Sequence, residues 1–325
     1  MINNINRNQP DRWKADIAAS VDLYNTWFMD FAPSTFRAMR VKTARDVASA
    51  LAATNNLMKI TPELLAASPG VLPMLRMATC PPIARDRLIG LAGVSKNLVE
   101  SMEDAEHPRV PPRMSSEQSQ TELLKIAAIL RRLADPDIFT WLNRDAPATA
   151  VEIERAATVV ADRLCGSASD PIIRNAQERR QLQRISDWLQ AKGYVLAAPG
   201  TKFNAMAAGT YAMRLNVPIQ LINERGVVKQ INIPIDTAIQ PKHAAPGALP
   251  LMIEAKSAGD FTNTNKRRKE EALKMQQLRA THGPDVRFIL FLCGYFGSDY
   301  LGYEAAEGID WVWEHRIDDL AACAL

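Results

Sequence analysis

The chain has 325 residues, 47% hydrophobic and 23% charged, with 15 Gly and 20 Pro; this usage excludes disordered, collagen-like and coiled-coil classes, and the length favours two domains. Its net charge of +3, from 39 basic and 36 acidic residues, permits a nucleic-acid partner without arguing for one. The opening MINNINRNQPDRWKAD lacks the apolar core of a signal peptide, the most apolar window, Phe288 to Phe296, is too short to span a bilayer, and Cys80, Cys165, Cys293 and Cys323 stand far apart without ligand spacing, so a reduced, cytoplasmic protein without zinc is expected.

Up to about residue 170, apolar residues recur at helical spacing over Trp13 to Phe31, Ala44 to Met58, Pro62 to Ala67, Ile83 to Ser101, Glu122 to Leu133 and Ala150 to Leu164. No convincing strand interrupts them. Met102 to Gln120, rich in Pro, Ser and charge, reads as a loop. At Asp170-Pro171 the sequence supplies an N-cap and a first-turn proline, ahead of a helix to about Lys192 stopped by Gly193. The period then changes to two. Leu215, Val217, Ile219 and Leu221 mark one strand, Asn223 to Gly226 a turn in which Glu224 serves turn chemistry, and Ile231, Ile233 and Ile235 the returning strand.

A third apolar run, Leu249 to Ala255, is followed by a helix from about Thr262 to His282, closed by Gly283-Pro284. Val286 to Cys293 then reads as a strand buried on both faces. Trp311 and Trp313, on alternate positions, predict one strand face packed against the core, not a base-stacking platform. The expected organisation is a helical domain, residues 1–169, and an α/β domain with a mixed sheet, residues 170–325.

Asp236 closes the second strand, and Glu254-Ala255-Lys256 closes the third. Residues two apart on a strand share a face, so Glu254 and Lys256 project together, and Asp236 joins them if the strands are neighbours. Two carboxylates and a lysine at adjacent strand ends make an oxygen-rich site suited to Mg²⁺, which takes one or two carboxylates plus water and substrate phosphate. Lys256 would hold or deprotonate an attacking water, or stabilise charge at phosphorus. A charged strand end is usually just solvated. Here an apolar strand, a second acid, flanking helices and a basic helix start provide the context for a metal nuclease.

Lys266, Arg267, Arg268 and Lys269 open a helix, where positive charge opposes the helix dipole, and contact with DNA phosphate would make that placement favourable. His243, in the loop after the second strand, is a DNA-contact candidate whose bland alternative is an ordinary loop residue. No Walker A or dinucleotide fingerprint appears.

These residues resemble the PD-(D/E)xK nuclease superfamily, with Pro234-Ile235-Asp236 and Glu254-Ala255-Lys256 in place of its motif elements. One residue, Ile235, separates the proline from the acid and departs from the pattern. Within that superfamily the chain looks like the XamI family of type II restriction endonucleases, through WKADIAASVDLYNTWFMDFAP, LMIEAKSAGDFTNTNKRRKEEA and LFLCGYFGSDYLGYEAAEGIDWVWEHRIDDL. The resemblance implies a core of helix, three strands, helix and strand, and Mg²⁺ held by Asp236, Glu254 and the backbone carbonyl of Ala255. It also implies an acid from the first core helix, for which Glu178 is the candidate. Further implications are a DNA-embracing N-terminal half, a homodimer cutting a palindrome such as GTCGAC, a companion methyltransferase and a prokaryotic cytoplasm. The rival readings are a structure-specific repair or junction nuclease on the same core, and a non-catalytic DNA-binding module.

Overall fold

The computed structural model describes residues 4–222, 228–245, 247–262, 264–323 and 325, without the side chains of 222 and 265–268. The chain divides into two compact units, Met1–Phe31 with Arg174–Leu325, and Ala32–Ile173. One boundary falls close to the expected 169/170. Residues up to Phe31, expected in the helical domain, group with the C-terminal unit. The reason is their bonding: Asp310 accepts the N–H groups of Ile5, Asn6 and Arg7 at 2.6, 3.0 and 3.1 Å. Trp13 packs edge-on against Trp311 at 5.5 Å, and Ser20 Oγ accepts the Gly294 N–H at 2.8 Å.

Helix α1 runs over Pro10–Ala53 with Pro33 inside it, where two helices with a break were expected. Helix α7 runs over Ala150–Ala191 with Pro171 inside it, so Asp170-Pro171 is no helix start. An interior proline loses one backbone hydrogen bond and bends the helix. In helices of 44 and 42 residues the remaining turns outweigh that loss. Each proline lies beside a unit boundary.

The helical unit also contains α2 (Pro62–Ala67), α3 (Leu72–Met77), α4 (Arg85–Ala92), α5 (Lys96–Met102) and α6 (Ser116–Leu133). Thr61, Ser95 and Ser115 cap α2, α5 and α6 through their hydroxyls. The helix expected over Ile83 to Ser101 is split by Gly93, whose φ of +59° ends α4. The Ser115 cap starts α6 earlier than expected and shortens the loop. Val47, Leu65, Leu72, Leu98, Ile126 and Trp141 are among the residues of its core.

The other unit is built on a sheet of six strands in the order β1-β2-β3-β4-β5-β6: Val195–Leu196, Thr210–Ile222, Val228–Ile239, Leu251–Ala258, Phe288–Gly294 and Asp310–Trp313. β1 pairs parallel with β2, β2–β3 and β3–β4 are antiparallel, and β4–β5 and β5–β6 are parallel. Helix α8 (Thr264–His282) and α9 (Ser298–Ala306) complete it. One core face joins Met252, Leu290, Trp311 and Trp313 to Met275 and Leu278 of α8. The other joins Ile253, Ile289, Phe291 and Val312 to Ile185 and Leu189 of α7. β5 is thus buried on both faces, as its apolar run predicts. No helix among the described residues is long and apolar enough to cross a membrane.

Candidate active site

The charged residues appear where the strands part. The β3–β4 ladder ends at Thr237↔Ile253, one step before Asp236 and Glu254. The β2–β3 ladder passes from Met213↔Thr237 to Leu215↔Ile235 without a paired step at Asp236. Opposite that gap Arg214 adopts φ +51°, a left-handed conformation that costs a residue with a Cβ about 1–2 kcal/mol. Backbone groups beyond a ladder need other partners. Asp236 Oδ2 supplies one by accepting the Ala255 N–H at 2.8 Å.

Along β4, Met252, Glu254 and Lys256 alternate with Ile253 and Ala255, so the acid and the lysine lie on the α8 side. Glu254 is only 7% exposed. Its Oε1 accepts from Lys256 Nζ at 3.1 Å and from Lys274 Nζ at 2.9 Å, while its Oε2 is buried without a hydrogen-bond partner. Lys274 also donates to the Pro234 carbonyl at 3.2 Å. Lys256 Nζ stands 3.7 Å from Glu271 Oε1, and Glu271 in turn accepts from the Tyr300 hydroxyl. From α7, Gln181 donates to the carbonyls of Lys256 and Phe291, both at 3.3 Å, fixing β4 and β5 beneath the site.

Burial pushes the Asp236 carboxyl up to about 6; the charge of Glu254 adds to the rise, and the Ala255 N–H and Lys256 oppose it. Burial works against a charged Lys256, yet Glu254, Glu271 and Asp236 together outweigh it and hold the ammonium above the ordinary lysine value. Asp236, Glu254, Ala255 and Lys256 line a cleft of 340 Å³ with Arg174, Gln177, Glu178 and Glu270.

The donor set fits a hard divalent cation. The charge of Glu254 helps to raise the proton affinity of Asp236, and a buried, unpartnered carboxylate oxygen is costly unless something binds it. Among the described residues no group of three or more His, Cys, Asp or Glu side chains forms a metal cage. Mg²⁺ needs none, because it keeps several waters and uses one or two carboxylates.

Asp236, Glu254, Ala255 and Lys256 are brought together as the sequence suggests. Glu178 reaches the same cleft and its charge raises Asp236, but its carboxylate is held by Arg214 at 2.8 Å. His243 is exposed in the loop before β4, at the end of that strand away from Lys256. Lys269 is exposed in the opening turns of α8. The side chains of Lys266, Arg267 and Arg268, like Glu224, lie outside the described residues. Sequence reasoning missed Glu271 and Lys274. A signal existed for Glu271, an acid on the stripe of α8 that buries Ala272, Met275 and Leu278.

The model of the XamI restriction endonuclease family matches residues 55–313. The chain belongs to the XamI restriction endonuclease family. It is 52% identical over 320 residues to the type II restriction enzyme SalI of Streptomyces albus G, covering 98% of this chain and 99% of the relative. Membership and this relative make the chain a type II restriction endonuclease. Among solved structures, protein VC1899 from Vibrio cholerae aligns at 12% identity over 79% of this chain and 54% of its own, with a TM-score of 0.27, too low to bear on the fold. Within the XamI family match fall the three charged residues of the cleft, Asp236, Glu254 and Lys256.

Proposed function

We propose that this restriction endonuclease is a Mg²⁺-dependent enzyme of the PD-(D/E)xK type that hydrolyses one phosphodiester in each strand of a palindromic duplex site. The observation that carries this reading is the buried, unpartnered Oε2 of Glu254 beside Asp236, whose proton affinity is raised. Asp236, Glu254 and the Ala255 carbonyl would hold Mg²⁺. When bound, the ion supplies Lewis-acid stabilisation of the charge that builds on the phosphate.

Lys256 enters as an ammonium. It therefore acts by donation, holding the attacking water in line with the departing 3′ oxygen or neutralising a phosphate oxygen, and does not serve as the base. Glu254 and Glu271 hold that ammonium in place, and Lys274 orients Glu254. Lys266 to Lys269 bind the DNA backbone near the scissile phosphate, His243 makes an additional contact, and the helical region embraces the duplex and shares in base readout. A palindrome cut on both strands calls for a twofold homodimer. A methyltransferase of the same system would protect the host site.

The proposed target is GTCGAC, the site associated with the family's name-giving member. Two plasmids test it, one with a single GTCGAC and one with that site changed at one base. In Mg²⁺ the first is expected to become linear and the second to stay supercoiled; linearisation of both, or of neither, would refute the target.

A further inference from the structure

A second cleft, of 510 Å³, is lined by Arg7, Arg279, Asp285, Arg287 and Asp310. It lies at the N-terminal ends of β5 and β6, whereas Glu254 to Lys256 pair with Leu290 to Leu292 further along β5. Arg7 precedes α1, Arg279 lies in the last turn of α8, and Arg287 immediately precedes β5.

The guanidinium groups of Arg7 and Arg279 converge. Arg279 Nη2 and Arg7 Nη1 stand 3.1 and 3.5 Å from the point that a Cβ on Gly308 would occupy. Among the described residues, the side-chain hydrogen bonds of the three arginines go to neutral acceptors. Arg7 Nε donates to Asn4 Oδ1 at 2.7 Å. Arg279 donates to the carbonyls of Glu307 and Gly308 at 3.1 and 3.5 Å. Arg287 donates to the Cys323 carbonyl at 3.1 Å.

Among the described residues no carboxylate forms an ion pair with any of these arginines. Asp310, in the cleft wall, has its carboxylate taken up by the N–H groups of Ile5, Asn6, Arg7 and Trp311. Asp285 is exposed. Burial pulls Arg287 below the ordinary arginine value, as expected for a cation lacking an acid to offset its desolvation.

Like charges fixed close together repel, and more so where water is partly excluded. An anion relieves that repulsion, and planar guanidinium forks match phosphoryl oxygens, which they bind in pairs. Clefts that hold small molecules measure roughly 300–1,000 Å³, which includes this one. We propose that the cleft binds a small phosphorylated anion, a di- or polyphosphate, apart from the carboxylate cleft. The site does not depend on how the catalytic residues are assigned. Phosphoryl oxygens are offered both by free polyphosphates and by the DNA backbone, so the test separates the two.

Pyrophosphate is titrated by calorimetry into the full-length protein in EDTA. One site per chain is expected, with Kd at least about tenfold weaker in the Arg7→Gln/Arg279→Gln double variant, since charge-assisted bidentate bonds are removed. That variant keeps the wild-type cleavage rate and its unfolding midpoint in phosphate-free buffer. Should the double variant fail to fold, Arg7→Gln alone, on the segment preceding α1, gives the same comparison. A short duplex lacking GTCGAC is the second arm. Its failure to displace pyrophosphate supports a free polyphosphate; displacement supports the anion site but assigns its occupant to the DNA backbone. No binding by the wild type, or equal affinity in the variants, overturns the proposal.

Discussion

The carboxylate cleft on β4 and the arginine cleft at the starts of β5 and β6 belong to one sheet, lie at different heights along its parallel strands, and crowd charges of opposite sign. In the first, Asp236 and Glu254 are partly compensated by Lys256 and Lys274, yet one carboxylate oxygen remains buried and unpartnered. In the second, the guanidinium groups of Arg7, Arg279 and Arg287 bond only to neutral groups among the described residues. On the proposed reading, compensation from within the protein holds side chains in place for chemistry, whereas its absence leaves the charge to a ligand. The comparison teaches which residues to alter if chemistry is to be separated from anion binding.

Replacing the carboxylate-cleft residues breaks the comparison most severely. Asp236→Ala, Glu254→Ala and Lys256→Ala are each expected to lower the cleavage rate by at least about two orders of magnitude, the scale of metal and proton-handling contributions. Circular dichroism is expected to show the fold retained, and normal digestion by any one variant removes that residue from the active site.

Lys274 sharpens the comparison at a lower level, because it positions Glu254 without a place in the chemistry itself. Lys274→Met is expected to lower the rate at saturating Mg²⁺ about tenfold, as removal of a partner to a metal ligand commonly does. Lys274→Arg is expected to restore most of it. Equal rates for Met and wild type contradict the positioning role, and failure of Arg to rescue contradicts the charge-based interaction.

The smallest effect belongs to the basic start of α8. Neutralising Arg267 and Arg268 together is expected to weaken cognate and non-cognate binding alike, and to flatten the slope of log affinity against log salt by roughly one unit for each phosphate no longer neutralised. An unchanged slope means that these side chains face solvent. Weakening confined to the cognate site means that they read bases.

The two clefts also differ in how far the sequence reveals them. Glu254 and Lys256 are two residues apart on one strand, and the strand period alone puts them on one face. Asp236 needed only the further inference that neighbouring strands pair. Lys274 and Glu271 were harder, since their partners lie across a strand-to-helix connection and helical spacing does not reveal which residue meets β4. Arg7, Arg279 and Arg287 come from three elements distant in sequence, and no spacing rule joins them.

The fold divides in the same way. Alternating and continuous apolar runs located β2 to β5 because strand faces are repeated locally. The sequence predicts a helix start at Pro171 where the helix runs through it, because a proline beside an N-cap residue carries the same local signature at a helix start as inside a long helix. Residues up to Phe31 group with the C-terminal unit because hydrogen bonds to Asp310 and Ser20 join opposite ends of the chain, and no local pattern reveals them.

Incubation of one duplex carrying GTCGAC with the wild-type protein in Mg²⁺, in Ca²⁺ and in EDTA tests the carboxylate cleft most directly. Ca²⁺ is larger than Mg²⁺ and makes a looser coordination shell, so it serves binding better than hydrolysis. The expected result is cleavage of both strands in Mg²⁺, a stable uncut complex in Ca²⁺, and no cleavage in EDTA. Undiminished cleavage in EDTA, or cleavage in Ca²⁺ as fast as in Mg²⁺, would contradict a Mg²⁺ site at Asp236 and Glu254.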